Sequence, residues 1–258
     1  MGLVDLTDKV VIVTGGAQGI GKSIVTNCAQ AGGRVVIADV QEAAAQETAQ
    51  VINQDRSQHV VAIQADVTDL ASVREMTAQV LAQFGRIDVL VNNAGWDRFD
   101  FFLDTTPEFW DKVIAINYKG ILNMCYAILP HMVAQKSGTI INMSSDAGRA
   151  GSMGEAVYAG CKAAIIGFSK TLAREYARDN IRVNVVAPGI TDTALLDSIG
   201  ETETGQKIVT AVARSIPLGR RAGRVEEISP AVVFLASDAA CYITGQVLSV
   251  NGGLTMVD

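Results

Sequence analysis

The run Val10-Val11-Ile12-Val13-Thr14 passes directly into Gly15-Gly16-Ala17-Gln18-Gly19-Ile20-Gly21. Unbroken apolar residues without polar alternation read as a strand buried on both faces. The glycines then turn the chain, and from Ile20 the apolar spacing becomes helical. Glycines at such a turn let the backbone approach a pyrophosphate, while the helix start offers unpaired N–H groups at the positive end of its dipole. The spacing is GxxxGxG, distinct from the GxGxxG of the general dinucleotide fingerprint. A tight strand-to-helix turn with no ligand would use the same residues, so the motif needs support from elsewhere in the chain.

Outward from this unit the pattern repeats. Strand-length apolar runs at 10–14, 34–38, 60–64 and 87–91 alternate with helix-period segments at 20–31, 42–54 and 71–84. Strict alternation predicts an α/β fold, a doubly wound parallel sheet with helices on both faces, because each right-handed crossover returns the chain to the same edge. No linker, repeat or low-complexity stretch divides residues 1–258, and one domain is expected.

The chain has 258 residues, 49% of them hydrophobic, enough for a substantial core, and a formal net charge of −6. That balance argues against a nucleic-acid or anionic-membrane surface, which needs clustered positive charge. No basic leader precedes the first strand and no apolar run suggests a membrane span, so a cytoplasmic protein is expected. Cys28, Cys125, Cys161 and Cys241 are widely spaced and form no CxxC pair; with only two histidines, no metal site is expected.

The second strand ends at Asp39. A carboxylate there accepts hydrogen bonds from adenosine ribose hydroxyls and repels a 2′-phosphate. No arginine follows it and Gln18 is neutral, so NAD is favoured over NADP. After the third strand, Asp66-Val67 offers an acceptor to an adenine amine, with a helix cap as the other reading; Asp69 is the better cap candidate. Asn92-Asn93-Ala94-Gly95 closes the fourth strand, where asparagines either meet a cofactor or tie loop backbone together. Asn117 lies inside a helical run, where asparagine usually faces solvent or bends the helix.

The chemistry concentrates between Ser144 and Lys162. Ser145 ends an apolar run, a glycine-rich loop follows, and Tyr158 and Lys162 stand four apart on a helix, hence on one face. An ammonium against a phenol favours the phenolate and makes tyrosine a usable acid or base. Such pairs are usually ordinary surface contacts, but here a glycine-rich loop precedes the pair and a serine lies at the sheet edge where α/β folds hold ligands.

Together Thr14-Gly15-x-x-x-Gly19-Ile20-Gly21, Asn92-Asn93-Ala94-Gly95, Asn117, Ser145, Tyr158-x-x-x-Lys162 and Pro188-Gly189 resemble the short-chain dehydrogenase/reductase family over the whole chain. The resemblance implies a seven-stranded Rossmann-like sheet and a homotetramer built on long helices around 105–135 and 155–178. It implies a tetrad: Tyr158 as acid or base, Lys162 lowering its pKa and holding the nicotinamide ribose, Ser145 orienting the carbonyl, and Asn117 supporting a proton relay. It also places Thr191 and Thr193, which otherwise read as caps of the next helix, at the nicotinamide carboxamide. Val225 departs from the family's usual proline and puts only the local helix start in question.

Substrate choice in the family lies in a lid, here about 190–224, and in neighbouring loops. Asn92-Asn93-Ala94-Gly95-Trp96-Asp97, Gly154-Glu155-Ala156-Val157-Tyr158 and Thr191-Asp192-Thr193-Ala194-Leu195-Leu196 are similar to a subgroup that oxidises 2-hydroxycyclohexanecarboxyl-CoA. That similarity implies an NAD-dependent dehydrogenase of a cyclic or β-hydroxyacyl-CoA thioester. The alternatives are a 3-oxoacyl-thioester reductase working on acyl carrier protein, a dehydrogenase of free cyclic alcohols or sugars, or a non-catalytic NAD-binding redox sensor. Trp96, Arg98, Asp146, Arg149, Met153, Glu155 and Leu195 flank the tetrad in sequence and are the candidate substrate contacts. Lys207, Arg214, Arg220, Arg221 and Arg224 fall in a stretch without acidic residues, a candidate seat for coenzyme A phosphates.

Overall fold

The computed structural model describes residues 4–55, 59–193, 196 and 203–257. Among these, strands β1 (Val10–Thr14), β2 (Arg34–Asp39), β3 (His59–Gln64), β4 (Val89–Asn92), β5 (Gly138–Met143), β6 (Ile181–Pro188) and β7 (Val247–Val250) form one sheet. Their order is β3-β2-β1-β4-β5-β6-β7 and every pairing is parallel. The seven-stranded Rossmann-like sheet expected from the sequence is therefore present.

Parallel strands carry helices on both faces, and the apolar residues divide accordingly. One face is covered by α1 (Gly19–Gln30), α2 (Glu42–Ile52) and a late helix, Val225–Ala236, whose Ile228, Val232 and Val233 meet Ile24, Val25 and Cys28. The other is covered by α3 (Leu70–Phe84), the segment from α4 (Pro107–Ile114) to α5 (Gly120–Gln135), and α7 (Ala156–Glu175), which follows the single turn α6 (Ala147–Ala150). Strand residues such as Ile12, Leu90 and Ile140 have no solvent exposure, which is why their runs show no polar alternation.

The crossover from β1 into α1 runs one way along the sheet, and the chain re-enters through β4 on the opposite side of β1. The carboxyl ends of β1, β4, β5 and β6 thus converge on a single crevice, the place where open α/β sheets take ligands.

Between α4 and α5 the backbone takes a π-helical turn over Ala115–Lys119. The sequence reading found no stretch of membrane-spanning length, yet Pro107–Gln135 forms 29 helical residues whose best window reaches a mean hydropathy of 1.2. Half of that window is buried inside the protein, and Met124, Ile128 and Met132 have no exposed surface. The apolar character belongs to a core helix.

Two further helical pieces complete the lid side: α8 (Glu203–Ser215) and α9, the Val225–Ala236 helix already described. Val225 replaces no essential cap, because Glu227 Oε2 accepts the Arg224 backbone N–H at 2.8 Å and closes the first turn.

Candidate active site

Three glycines shape the turn after β1. A Cβ on Gly21 would stand 2.0 Å from the Gly15 carbonyl oxygen, and one on Gly15 would stand 2.9 Å from the Ala94 Cα. These two permit backbone to lie on backbone. Gly19 differs: its φ is +56°, and an added Cβ would meet only a Thr193 methyl at 3.7 Å. Its missing side chain leaves room on the side of the crevice, at the N-terminus of α1. That arrangement fits a dinucleotide pyrophosphate, which wants close backbone N–H groups and no Cβ in the way.

The crevice has a volume of about 1060 Å³, and its lining includes Gly15, Gln18, Gly19, Ile20 and Gly21 at one end and Ser145, Tyr158 and Lys162 at the other. Asp39 lies between Ala38 and Val40 in the wall near the first end, only 6% exposed. Its Oδ2 accepts from Ala17 N and its Oδ1 from Gln41 N, both at 3.0 Å. The carboxylate is thereby fixed at the tip of β2, with lone pairs left for ribose hydroxyls.

Neighbouring residues hold that geometry. Asn93 donates from Nδ2 to the carbonyls of Thr14 and Gly15, each at 3.0 Å, while Thr14 Oγ1 accepts from the N–H groups of Asn93 and Ala94. The Asn93 side chain therefore ties the β4 end to the glycine turn, while Ala94 and Gly95 line the crevice. Asp66 Oδ1 accepts from the Thr68 N–H and hydroxyl, an Asx turn, and Asp69 caps α3 through Ala71 and Ser72. Val67, 8% exposed, packs beneath and its carbonyl accepts from Asn123. Both Asp66 and Val67 still border the crevice.

At the other end Lys162 is 3% exposed and donates to the Met143 carbonyl at 3.0 Å. Its Nζ lies 5.2 Å from the centre of the Tyr158 ring. Ser145 stands beside Tyr158 in the crevice lining, and its Oγ accepts from Ala147 N at 3.1 Å. Ser144, beside it, donates to the Lys162 carbonyl at 2.7 Å and clamps α7 to the end of β5.

Asn117 does not face solvent. It is fully buried in the π turn, donating to the Trp96 carbonyl at 2.6 Å and the Val113 carbonyl at 2.9 Å, with Oδ1 accepting from Trp96 N at 3.3 Å. π turns are rare and cluster at functional sites. Here the turn aims a buried amide at the loop after β4, and Asn117 Oδ1 would lie 3.0 Å from a Cβ on Gly95.

The electrostatics of the protein by itself run against the pull of the Lys162 ammonium on Tyr158 expected from the sequence. Burial pushes the phenol above its ordinary value, and the carboxylates of Glu155 and Asp97 push it further; only the Ser145 hydroxyl opposes them. Burial also lowers Lys162 to about 8, which weakens it as a fixed cation. In the protein by itself Tyr158 is a phenol.

Most candidate substrate contacts border the crevice: Trp96, Asp146, Met153 and Glu155 do. The two arginines do not. Arg98 pairs with Asp100 at 2.5 Å and lies over the Phe109 ring at 5.1 Å, and Arg149 donates at 2.6 Å to both Ser249 Oγ and the Val257 carbonyl. Long side chains with five donors find partners outside the crevice, which adjacency in sequence cannot reveal. Asp146 turns the same way, accepting from Asn251 at 2.6 Å and Ser249 at 3.3 Å. Leu195 lies outside the described residues.

Thr191 and Thr193 border the crevice near Pro188 and Gly189. Thr191 donates to the Gly189 carbonyl at 2.9 Å, and Thr193 Oγ1 accepts from Leu196 N at 3.4 Å in a weak cap. Residues not singled out from the sequence also contribute: Ile190, Leu196, Ile208, Val209 and Val212 give the lid side an apolar wall. Their signal was the apolar spacing of Ile208, Val209 and Val212 along α8. Asp97, discussed below, gave no sequence signal beyond its place in Asn92-Asn93-Ala94-Gly95-Trp96-Asp97.

The model of a family described as enoyl-(acyl carrier protein) reductase matches residues 15–255. The chain is 42% identical over 249 residues to the 3-oxoacyl-[acyl-carrier-protein] reductase FabG of Chlamydia trachomatis, covering 96% of this chain and 98% of that protein. It is 39% identical over 254 residues to the same-named enzyme of Thermotoga maritima, covering 97% and 99%. Among solved structures, levodione reductase superposes with a TM-score of 0.91 at 31% identity, covering 96% of this chain and 98% of that one. The chain belongs to the short-chain dehydrogenase/reductase family.

As a short-chain dehydrogenase/reductase it is an oxidoreductase that uses a nicotinamide cofactor. The stretch 207–224 is less basic than its sequence suggests. Arg221 makes a double hydrogen bond to Glu227, at 2.8 and 2.6 Å, and Arg224 reaches the same carboxylate at 3.2 Å. The Arg221 guanidinium first, then the Arg224 backbone N–H, hold Glu227 down to about 2, so a single carboxylate just beyond the stretch that lacks acidic residues offsets part of its charge.

Proposed function

We propose that this enzyme reduces the 3-oxo group of an acyl thioester carried on a pantetheine arm, using NADH, and catalyses the reverse oxidation of the 3-hydroxyacyl thioester. The observation that carries it is the Tyr158 hydroxyl, held with Ser145 in the crevice and kept protonated by burial and by Glu155 and Asp97. A phenol so placed is a proton donor for a developing alkoxide, the need of carbonyl reduction. The 3-oxoacyl-[acyl-carrier-protein] reductases of like sequence support the same reading, ahead of the cyclic hydroxyacyl-CoA reading of the sequence.

The residues divide the work. When bound, the nicotinamide supplies or takes the hydride. The fit of Gly15, Gly19 and Gly21 to a pyrophosphate and of Asp39 to a ribose supports NAD(H) over NADP(H), with Gln18, Ile20, Asp66, Val67, Ala94, Gly95, Pro188, Gly189, Thr191 and Thr193 along the rest of its seat. Ser145 donates to the carbonyl oxygen, Tyr158 delivers the proton, and Lys162 holds the nicotinamide ribose. Asn117 fixes the backbone of Trp96 behind them. The apolar wall of α8 receives the acyl chain, and Met153 and Glu155 stand at the mouth. A redox sensor without catalysis would not need to bury an ammonium beside this phenol, an arrangement that costs stability.

The same reading makes the protein a cytoplasmic homotetramer. The half-exposed Ile114 and the exposed Tyr126 on the α4–α5 segment are the apolar residues it would cover.

Initial rates with 3-oxoacyl groups on acyl carrier protein and on coenzyme A, each with NADH and NADPH, test this. Turnover of the thioesters with NADH is expected, and the ratio between the two carriers distinguishes them. Turnover of free cyclic ketones alone would overturn the thioester reading and leave the oxidoreductase chemistry standing.

A further inference from the structure

Behind Tyr158 lies a second, small space of about 10 Å³, whose lining includes Asp97, Asp100, Thr105, Phe109, Glu155 and Tyr158. That is room for one ordered water. Asp97 is 5% exposed, and its Oδ2 is one of two buried side-chain polar atoms without a hydrogen-bond partner among the described residues. A buried carboxylate with an empty oxygen is unstable unless it meets a water, a cation or a proton. Arg98, next in sequence, is no such cation, because its guanidinium pairs with Asp100.

We propose that Asp97 and Glu155 share one proton through a water in this cavity, and that the charge of the pair sets the protonation of Tyr158, biasing the enzyme towards carbonyl reduction. The groups facing Asp97 are Glu155 at the start of α7, Asp100 on its own loop, and Lys162 and Cys161 on α7. Two of these are carboxylates and one is a cation weakened by burial. Burial first, then Glu155 and Asp100, raise Asp97 to about 7, and burial raises Glu155 as well. Glu155 borders both this cavity and the main crevice, so it is the route by which the pair exchanges protons with solvent.

This makes Asp97 a positioning residue: it acts on substrate through Tyr158, and the effect depends on the oxidoreductase reading. With the pair singly charged, a phenolate would face a negative neighbour, which disfavours the base needed for alcohol oxidation and leaves the acid needed for reduction. Removing the charge relaxes that bias without touching the crevice.

Infrared titration of the carboxyl region on the cofactor-free enzyme, with Asp97→Asn and Glu155→Gln as partners, tests the pair directly. The parent should keep a protonated carboxyl band that titrates near neutrality; Asp97→Asn should lack it, and Glu155→Gln should move it to lower pH. Rates of hydroxyacyl oxidation against pH should then show the rising, acidic limb of Asp97→Asn moved at least half a unit down. An infrared band unchanged in both variants overturns the shared proton. A band that responds while the rate profile of Asp97→Asn superposes on the parent overturns the coupling to Tyr158. If the parent turns over no thioester, the functional reading fails while the infrared result still decides the pair, and Glu155→Gln keeps the test readable should Asp97→Asn not fold.

Discussion

The ammonium of Lys162 lies 5.2 Å from the centre of the Tyr158 ring, yet its hydrogen bond goes to the Met143 carbonyl at 3.0 Å. The lysine is thus anchored to the end of β5 rather than to the phenol. An anchored cation serves a ligand that arrives later, and the phenol stays protonated until it does. The two residues four apart on α7 are therefore prepared for separate tasks, one to hold and one to transfer a proton.

Tyr158→Phe separates binding from chemistry. The ring still fills its place beside Lys162, while the proton donor is gone. Turnover should fall by about 10²–10⁴-fold, the usual contribution of a positioned acid. Dinucleotide affinity, read by quenching of protein fluorescence, should change less than about threefold, since a loss of 0.6 kcal/mol or so is all that a spectator hydroxyl at the crevice edge would give. Full activity in this variant would remove Tyr158 from the chemistry.

Lys162→Met should raise stability while it abolishes activity. Burial lowers the folded value of Lys162 to about 8 from an ordinary 10.5, so the charged form is disfavoured by folding. Between those two values the unfolded chain binds more protons, and stability rises with pH; below about 8 the full cost applies. At about 1.4 kcal/mol per unit the cost is near 3 kcal/mol, offset by roughly 1 for the lost bond to Met143. Thermal melts at neutral pH should place the variant several degrees above the parent, with the gap closing towards pH 10.5. A variant that melts lower at neutral pH would show that Lys162 is held without strain.

Much of this was legible in the sequence because the strands carry their own signal. The runs at β1, β2 and β4 are apolar throughout since both faces are covered, and the glycine turn follows β1 at once. The grouping of Ser145, Tyr158 and Lys162 on one crevice was legible for a similar reason, since they lie in short motifs whose local geometry is set by one strand end or one helix turn. Asn117 shows the limit: spacing marks it as mid-helix, but a π turn, not visible in apolar periodicity, buries it. Arg98 and Arg149 were misplaced because long side chains choose partners in space, Asp100 in one case and the distant Ser249 and Val257 in the other. Glu227 escaped notice for want of a rule joining it to Arg221 across the start of a helix.

On the proposed reading, Asp39 governs the choice of dinucleotide. Its carboxylate is locked by the Ala17 and Gln41 N–H groups, so it cannot swing away from a 2′-phosphate. Asp39→Asn keeps the shape and removes the charge. Hydrogen bonds to charged groups contribute about 1.5–3 kcal/mol, so kcat/KM with NADH should drop roughly 10- to 100-fold while the value with NADPH rises. Steady-state kinetics with both cofactors checks it; an unchanged ratio would place the ribose elsewhere.

In the proposed pyrophosphate seat, Gly19 and Gly21 have different tasks. Gly21→Ala would force a methyl to 2.0 Å from the Gly15 oxygen, backbone that cannot yield, so this variant should fold poorly or melt far below the parent. Gly19→Ala meets only the Thr193 methyl at 3.7 Å, and its cost to the fold is the left-handed φ of +56°, about 1–2 kcal/mol. It should therefore fold, yet its new methyl occupies the space where phosphate oxygens approach the start of α1. Calorimetric titration with NADH should show at least a tenfold loss of affinity for Gly19→Ala at nearly parental stability. Parental affinity in that variant would mean that the dinucleotide does not lie against Gly19, and the seat assigned to its phosphates would have to move along the crevice.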